Sequence, residues 1–334
     1  MPVICRSGTD KVLPAFPIAQ LICCIGLSPR TDSMALFIEQ LVNGLTVGAV
    51  YSLVALGYTM VYGVMRMINF AHGDFFMIGS YLGFTLISSA LIGGAIPLWL
   101  ALVVIVVLAM IGVGLLGIIV ERAAYRPLRK SSRLTAVVSA IGVSIFLQNA
   151  VMLIWGPRYR AYPPWAVPNI IWQVGDIYIN LMQILILAVS FVLMIALYFF
   201  VQHTTVGAAI RATAIDHDAA RLMGIDVDQI IRLIFLIGPA LGAAAGVLLG
   251  LYYRQIHFTV GWTYGLKAFT AAIMGGIGNI PGAMVGGLLL GILEMLGAGY
   301  VSSAWKDVFV FIILILLLIF RPTGLLGERI AEKV

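Results

Sequence analysis

Two interruptions of long apolar sequence hold most of the polar side chains that could contact a solute inside this protein. The first, residues 66–74, contains Asn69 and His72, and the second covers residues 275–282. A chain within a lipid bilayer can leave helical geometry only where it faces protein or a water-filled cavity. Transporters use paired broken segments to line a pathway near the bilayer midplane. We therefore predict a translocation pathway that includes Asn69, His72, Gly275, Gly276, Gly278 and Asn279.

Simpler structures fit both interruptions. An ordinary turn between two spans fits residues 66–74 equally well, and a tight hairpin fits residues 275–282. Glu294 is a further pathway candidate, because it lies in an apolar tract where a charge is costly and usually faces the interior of the bundle. A buried structural contact is an equally good interpretation of Glu294.

Residues 207–226 differ in composition from both interruptions. They are rich in alanine, carry several charges and predict one short helix on the membrane surface that stops at Gly224. Arg211, Asp218 and Arg221 share one face of that helix, while the residues expected to pack beneath it are Ile210, Ala214 and Leu222. A polar outer face suits the docking of a motor subunit, although a solvated connector is the alternative. The candidate docking residues are Arg211, Asp216, Asp218, Arg221 and Gly224.

Signatures of enzymes, cofactors and metals are missing from the sequence. No Gly-x-x-x-x-Gly-Lys-Ser/Thr occurs, so the chain cannot hold ATP in a P-loop of its own. Pro281 stands where the third glycine of a dinucleotide-binding motif would be needed. His203 and His217 lack metal-ligand partners at helical spacing. We therefore expect a protein that is not an enzyme and that binds neither a cofactor nor a metal.

Composition requires a non-aqueous environment for most of the surface. Of 334 residues, 62% are hydrophobic and only 10% are charged, and the mean hydropathy is +1.07. A soluble domain has about a quarter of its residues charged. The net charge of +6 comes from Lys and Arg in short loops between apolar runs. This placement is typical of membrane topology rather than of a nucleic-acid-binding face.

Long apolar runs alternate with short polar breaks from Leu36 onward. The runs predict an all-α, polytopic transmembrane helix bundle of about eight spans, with a re-entrant or broken segment over 262–300. The first run is long enough to tilt or break near Gly57. Glycines recur at a spacing of four in four places, which predicts close helix contacts: Gly44 with Gly48, Gly242 with Gly246 and Gly250, Gly282 with Gly286, and Gly287 with Gly291. The runs are 36–64, 75–92, 97–120, 134–155, 178–201, 230–252, the interrupted tract 262–300, and 308–320.

Basic residues in short loops predict the orientation, because such loops stay in the cytoplasm. The loop 121–133 holds five basic residues against Glu121, and the tail after Phe320 holds three. Both should be cytoplasmic, which requires the chain to reverse direction around 275–282 and places the C-terminus in the cytoplasm. The six tryptophans then all fall at the external side, as expected for an interfacial belt: Trp99, Trp155, Trp165, Trp172, Trp262 and Trp305.

The first 33 residues form an atypical extension. They hold all three cysteines, Cys5, Cys23 and Cys24, and an apolar run too short for a span. We expect Met34 to be the natural start and residues 34–334 to form a single transmembrane domain.

Seven motifs occur in order between Met34 and Val334. They are Gly57-Tyr-Thr-Met-Val-Tyr-Gly63, Ile68-Asn-Phe-Ala-His-Gly73, Glu121-Arg-Ala-Ala-Tyr-Arg-Pro127, Ser139-Ala-Ile-Gly-Val-Ser-Ile-Phe-Leu-Gln-Asn149, Lys267-Ala-Phe-Thr-Ala-Ala272, Gly275-Gly-Ile-Gly-Asn-Ile-Pro-Gly-Ala283 and Arg321-Pro-Thr-Gly-Leu-Leu-Gly327. Together with the alanine-rich segment ending at Asp226, they resemble the permeases of bacterial ATP-binding-cassette importers for branched-chain amino acids. The chain is similar to the shorter of the two permeases, the subunit lettered H.

The resemblance implies a heteromeric machine in the bacterial inner membrane. Its expected partners are a second permease subunit, two ATP-binding subunits, a periplasmic substrate-binding protein and the lipid bilayer, with no role for nucleic acid. The coupling loop would lie within 204–226. Amides and urea remain alternative substrates, and an ion-coupled carrier that uses Glu294 remains an alternative mechanism.

Overall fold

The computed structural model describes residues 33–89, 98–129, 131–163, 170–174, 177–321 and 323–327. The predicted extension, except for Ser33, lies outside them. The helices are α1 (Ser33–Met65), α2 (His72–Ser88), α3 (Leu98–Val120), α4 (Arg133–Trp155), α5 (Leu181–His203), α6 (Thr205–Ile215), α7 (His217–Leu222), α8 (Val227–Tyr253), α9 (Val260–Gly275), α10 (Ile280–Tyr300) and α11 (Lys306–Phe320). A π-helical turn (Glu121–Tyr125) and a 3₁₀ turn (Arg126–Leu128) continue α3, and a second 3₁₀ turn (Ser303–Trp305) precedes α11.

Seven helices within the described residues are long and apolar enough to cross a membrane: α1, α3 with its continuation, α4, α5, α8, α10 and α11 with the preceding turn. The shorter helix α2 packs against α8, and the shorter helix α9 packs against α1 and α2, in the interior of the bundle. The predicted all-α transmembrane bundle is thus confirmed. The first helix runs without interruption past Gly57, so the break considered there does not occur.

Helices α1 and α8 form the centre of the bundle, and α4, α5 and α11 expose most of their apolar surface. Small residues allow this arrangement. An apolar side chain gains little when it exchanges lipid contacts for contacts with another apolar side chain, so close backbone contact must hold the helices together. On α1, a Cβ atom added at Gly44 would lie 2.6 Å from the Cα of Ile292 on α10. Ser52 reinforces the same contact by donating to the carbonyl oxygen of Met284 at 2.7 Å.

The chain reverses direction between α9 and α10, as the interrupted tract predicted. Gly276 and Gly278 have φ values of 103° and 97°, which residues with a side chain rarely adopt. Gly275 and Gly282 then meet backbone to backbone, so the two helices form an antiparallel hairpin. After α11 the chain returns to this turn, where the amide of Leu325 donates to the carbonyl oxygen of Met274 at 2.8 Å.

Short strands cover the opposite end of the bundle. Strand β1 (Arg160–Ala161) pairs antiparallel with β4 (Gln255–Ile256), and β2 (Ile171–Val174) pairs antiparallel with β3 (Ile177–Asn180). Beside β1, the hydroxyl of Tyr162 donates to the carbonyl oxygen of Ser80 at 2.7 Å. Burial raises the pKa of Tyr162, so its hydroxyl keeps this donor proton. Four tryptophans of the described elements lie at this end: Trp155, Trp172, Trp262 and Trp305.

The glycine contact between α1 and α10 provides a test of the bundle. We expect Gly44→Ala to lower the free energy of unfolding by about 1–3 kcal/mol, because the added methyl group meets the α10 backbone rather than a side chain that can move aside. Gly142→Ala on α4 is the matched control, since a Cβ atom there has no neighbour within 4 Å. Thermal unfolding in detergent measures both. Equal midpoints for the two variants would contradict the close contact.

Candidate functional site: a surface segment and two backbone breaks

Residues 204–226, here called the surface segment, form two short helices. Asp216 separates α6 from α7 with extended backbone (φ −153°, ψ 118°). Its carboxylate accepts hydrogen bonds from the amides of Asp218 and Ala219 at 2.9 and 3.1 Å, as the N-terminal cap of α7. The prediction of one continuous helix was therefore wrong, because Asp216 competes for the backbone donors and starts a new helix. Arg211 and Arg221 consequently lie on different helices.

Apolar side chains at the tip of the surface segment face outward. Ile210 is buried, as predicted, but Leu222 is 89% exposed and Met223 is 82% exposed. The expectation that Leu222 packs beneath the helix was wrong, because the break at Asp216 changes the direction of the chain. Gly224 ends α7 with a φ of 83°, in agreement with its predicted role as a helix stop. The tip is therefore an exposed apolar surface beside a polar one.

The charged residues of the surface segment have different partners. The guanidinium of Arg211 donates to the carbonyl oxygen of Val201 at the end of α5. Arg221 pairs with Asp218 at 3.3 Å, and both side chains are largely exposed. An exposed ion pair contributes little to stability. Arg211 therefore attaches the segment to the bundle, whereas Arg221 and Asp218 remain at its surface.

The first break, residues 66–71, connects α1 to α2 and buries Asn69 while leaving Arg66 exposed. Asn69 is 1% exposed, and its Oδ1 accepts from the hydroxyl of Tyr125 at 2.6 Å and from the amide of Ala71 at 3.0 Å. In the first turn of α2, Asp74 is also buried and accepts from Nε2 of Gln148 at 2.9 Å. The break is thus held by side chains of α3's continuation and of α4.

His72 is fully enclosed at the start of α2. Its ring packs edge-on against Tyr58, with ring centroids 4.6 Å apart. Gly57 and Gly238 leave the space that the ring fills between α1 and α8. Neither ring nitrogen makes a hydrogen bond of ordinary geometry, although the carbonyl of Val54 lies nearby. His72 is a buried polar group without a full set of partners, a feature that deserves explanation in a membrane protein.

The second break lies beside the first at the same end of the bundle. Asn279 accepts from the amide of Gly282 at 3.1 Å, as the cap of α10, and donates to the carbonyl oxygen of Leu326 at 2.7 Å. Ile277 of this turn and Ile68 of the first break line a common small cleft. The other residues lining the cleft are Tyr58, Tyr62, Phe269 and Ala272. The structure thus places the two predicted breaks together, around a mainly aromatic and aliphatic surface.

Glu294 lies in the half of α10 away from this cleft and is part of a buried ion cluster. Lys267 Nζ lies 2.7 Å from Glu294 Oε1 and 2.6 Å from Asp307 Oδ1. The hydroxyl of Tyr51 donates to the other oxygen of Glu294 at 2.8 Å. Lys267 and Glu294 are almost completely buried, whereas Asp307 is half exposed. Of the two interpretations of Glu294, the buried contact matches this geometry.

A second charge cluster joins the end of α3 to the start of α8. Arg129 forms ion pairs with buried Glu121 and with Asp228, the latter at 2.6 Å. Arg126 also reaches Asp228, at 3.3 Å. This cluster lies next to Tyr125, which holds Asn69. Among the described residues, no group of three or more His, Cys, Asp or Glu side chains could hold a metal ion.

Comparison with known families decides the class of protein. A family model described as the permease component of the branched-chain amino acid transport system matches residues 40–318. The chain belongs to this permease family.

Curated relatives of this permease extend the match over almost the whole chain. LivH of Escherichia coli K12, a high-affinity branched-chain amino acid transport system permease protein, is 47% identical over 309 residues, which are 91% of this chain and 100% of LivH. BraD of Pseudomonas aeruginosa, described in the same words, is 48% identical over 301 residues, 89% of this chain and 98% of BraD. A probable LivH of Methanocaldococcus jannaschii is 29% identical over 293 residues, 82% and 88% of the two chains. Family membership makes the chain a multi-pass permease subunit rather than an enzyme.

The sequence signals locate some of the permease's polar sites and miss others. Asn69 and His72 are buried behind the cleft and do not line it, whereas their neighbour Ile68 and Ile277 do. Glu294 is separated from them along α10. Lys267 was overlooked as the partner of Glu294, although two opposite charges in one apolar tract are a usable signal. Glu121 was also overlooked, since it was counted only as the single acid in a basic loop. The roles of Lys267 and Glu121 both depend on ion pairs between separate structural elements, which only the folded structure shows.

The buried ion pair of the permease predicts unequal costs for single and double substitution. Lys267→Met leaves the buried carboxylate of Glu294 with the Tyr51 hydroxyl as a partner but without the positive charge of Lys267, and we expect a loss of about 3–5 kcal/mol in the free energy of unfolding. Adding Glu294→Leu removes the second buried charge and should recover much of that loss. Chemical denaturation in detergent measures both variants. A double variant no more stable than the single one would contradict a buried pair.

Proposed function

We propose that this chain is the membrane-spanning subunit of an ATP-driven importer that carries branched-chain amino acids into the bacterial cytoplasm. The observation that carries the proposal is its identity of 47–48% to LivH and BraD over nearly their full lengths. Such similarity over nearly the full length of both relatives favours the same cargo. Its partners would be a second permease subunit, two ATP-binding subunits and a periplasmic substrate-binding protein.

The arrangement of loops supports an inner-membrane topology with a cytoplasmic C-terminus. The basic turn 121–129, the surface segment and residues 323–327 all gather at the end of the bundle where α1 finishes and α10 begins. Basic loops stay on the cytoplasmic side. Residues 34–334 would then act as one transmembrane permease domain, with the strands and the described tryptophans on the periplasmic side.

The tip of the surface segment is suited to docking an ATP-binding subunit. Leu222 and Met223 project from the predicted cytoplasmic side, flanked by the polar pair Asp218 and Arg221. An apolar centre with a polar rim is the usual composition of a protein interface. Arg211 and Asp216 fix the helices behind this tip, so a force applied there can move α6 and α7 together.

The cleft between the two breaks would pass the aliphatic side chain of the cargo. Its lining from Tyr58, Phe269 and Ile277 offers apolar contact without a strong binding group. A weak site inside the membrane is sufficient where an external binding protein supplies selectivity. The same lining suits branched aliphatic side chains better than amides or urea. The pairing of Glu294 with Lys267 argues against Glu294 as the coupling site of an ion-driven carrier.

Reconstitution tests the proposed function. Vesicles containing this chain, the second permease and the two ATP-binding subunits should accumulate radiolabelled leucine when ATP is inside and the binding protein is outside. Uptake should persist when an ionophore collapses the proton gradient. Uptake that ignores ATP but disappears with the gradient would instead identify an ion-coupled carrier.

The docking surface provides a separate prediction. Leu222→Asp should reduce co-purification of the ATP-binding subunits and uptake together, because a charge at the centre of an apolar interface must be desolvated. Val301→Asp is the matched control, since Val301 is also strongly exposed but lies at the opposite end of the bundle. Pull-down of the ATP-binding subunits measures the effect. Equal recovery with both variants would exclude the tip as the docking site.

A further inference from the structure

Two side chains link the surface segment to the end of α1, and each segment supplies one of them. Arg66 Nη2 donates to the carbonyl oxygens of Ala214 and Ile215, at 3.5 and 3.1 Å. His217 Nε2 donates to the carbonyl oxygen of Val64 at 2.8 Å. The last carbonyls of a helix have no partner within that helix, so each side chain caps a helix that belongs to the other segment. We call Arg66 and His217 the clasp.

The clasp fastens the surface segment to the first residue of the first break. Arg66 has left-handed backbone (φ 51°), which ends α1 and turns the chain toward Asn69, three residues later. Asn69 is fixed by Tyr125, and His72 is enclosed between α1 and α8. A displacement of Arg66 must therefore be taken up within residues 66–71, since both ends of this short stretch are held.

A second connection reaches Asn69 from the other side. The surface segment leads directly into α8, whose first turn contains Asp228. Asp228 binds Arg129, and the turn that precedes Arg129 contains Tyr125, the hydrogen-bond partner of Asn69. The clasp and this ion pair thus converge on the same buried amide from opposite directions. A movement of the surface segment relative to the bundle therefore acts on the first break through both the clasp and the ion pair.

Capping alone does not account for the clasp. Arg66 is exposed, and the carbonyl oxygens that it contacts lie at an exposed surface, where water is an alternative partner. The bonds of Arg66 are therefore dispensable for hydrogen-bond satisfaction, yet together with the bond of His217 they join two elements 148–153 residues apart in sequence. Such a link constrains the position of one element relative to the other.

We propose that the clasp transmits movement of the surface segment to the first break, so that Arg66 and His217 are positioning residues of the transport cycle. This inference rests on the proposed function, because the ATP-binding subunits supply the movement. Closure of those subunits displaces α6 and α7, the clasp moves the end of α1, and the break beside the cleft changes shape. Without the clasp, ATP hydrolysis continues but moves less cargo.

Arg66→Gly is the decisive variant in the complete importer. Glycine adopts the left-handed backbone of position 66 freely, so the change removes the guanidinium without straining the turn. Arg254→Gly is the matched control, because Arg254 also has left-handed backbone (φ 58°) but lies after α8 at the opposite end. We expect the leucine transported per ATP hydrolysed to fall about fivefold or more in Arg66→Gly. The ratio should be unchanged in the control.

Position 217 provides the conservative rescue. His217→Ala should lower the transport-to-hydrolysis ratio as Arg66→Gly does, whereas His217→Gln keeps an N–H donor and should restore most of it. The double variant Arg66→Gly with His217→Ala should have a transport-to-hydrolysis ratio only slightly below that of either single variant, because Arg66 and His217 belong to the same link.

A labelling experiment reports on the break directly. In a chain whose Cys5, Cys23 and Cys24 are replaced by serine, Ile68→Cys should react with a maleimide at a rate that changes when ATP is added. Adding Arg66→Gly should abolish that change. A variant that lowers transport and hydrolysis equally, or that keeps the ATP-dependent labelling, overturns the clasp. Wild-type vesicles that show no ATP-driven leucine uptake overturn the proposed function as well. Wild-type uptake with an unaffected Arg66→Gly overturns the clasp alone.

Discussion

The backbone carbonyls at the ends of α1, α5, α6 and α9 each accept a hydrogen bond from a different part of the chain. His217 reaches the end of α1, Arg211 the end of α5 and Arg66 the end of α6, while the amides of residues 325 and 326 reach the end of α9. Helix ends leave carbonyls without partners inside the helix, and at these four ends the donors come from other segments of the chain. These bonds tie the loops at one end of the bundle into a single connected layer.

Close backbone contact between the helices couples a movement of this layer of loops to a movement of the bundle beneath it. Helices α1 and α10 approach through Gly44 and Gly48 on one side and Gly287 and Gly291 on the other, with no large side chain between them. A close-packed interface of this kind transmits a displacement instead of absorbing it. The two breaks at residues 66–71 and 276–279 are the places where the rigid helices can change direction. Because both breaks lie beside a common cleft, a movement of the loops can change the shape of the chain near the proposed pathway.

Among the described residues, the buried side chains Glu121, Lys267 and Glu294 each have an oppositely charged partner. Lys267 and Glu294 neutralise each other inside the bundle, and Arg129 bridges Glu121 to Asp228 at its edge. A buried charge without a partner would cost several kcal/mol. His72 differs, since its ring is enclosed without a full set of hydrogen bonds. It lies at the start of α2, directly after the first break, which the proposed cycle would rearrange.

The sequence by itself determined the environment, the fold class, nearly all of the spans and the reversal around Gly275–Gly282. Apolar run length, loop charge and glycine backbone freedom are local properties, so they can be read without coordinates. Ordered motifs also sufficed for the family. Only the tertiary structure decided that Asp216 divides the surface segment, that Leu222 faces outward and that Lys267 pairs with Glu294. Only it joined Arg66 to α6, because a hydrogen bond between residues almost 150 positions apart depends on how the helices are stacked, and no local pattern encodes that stacking.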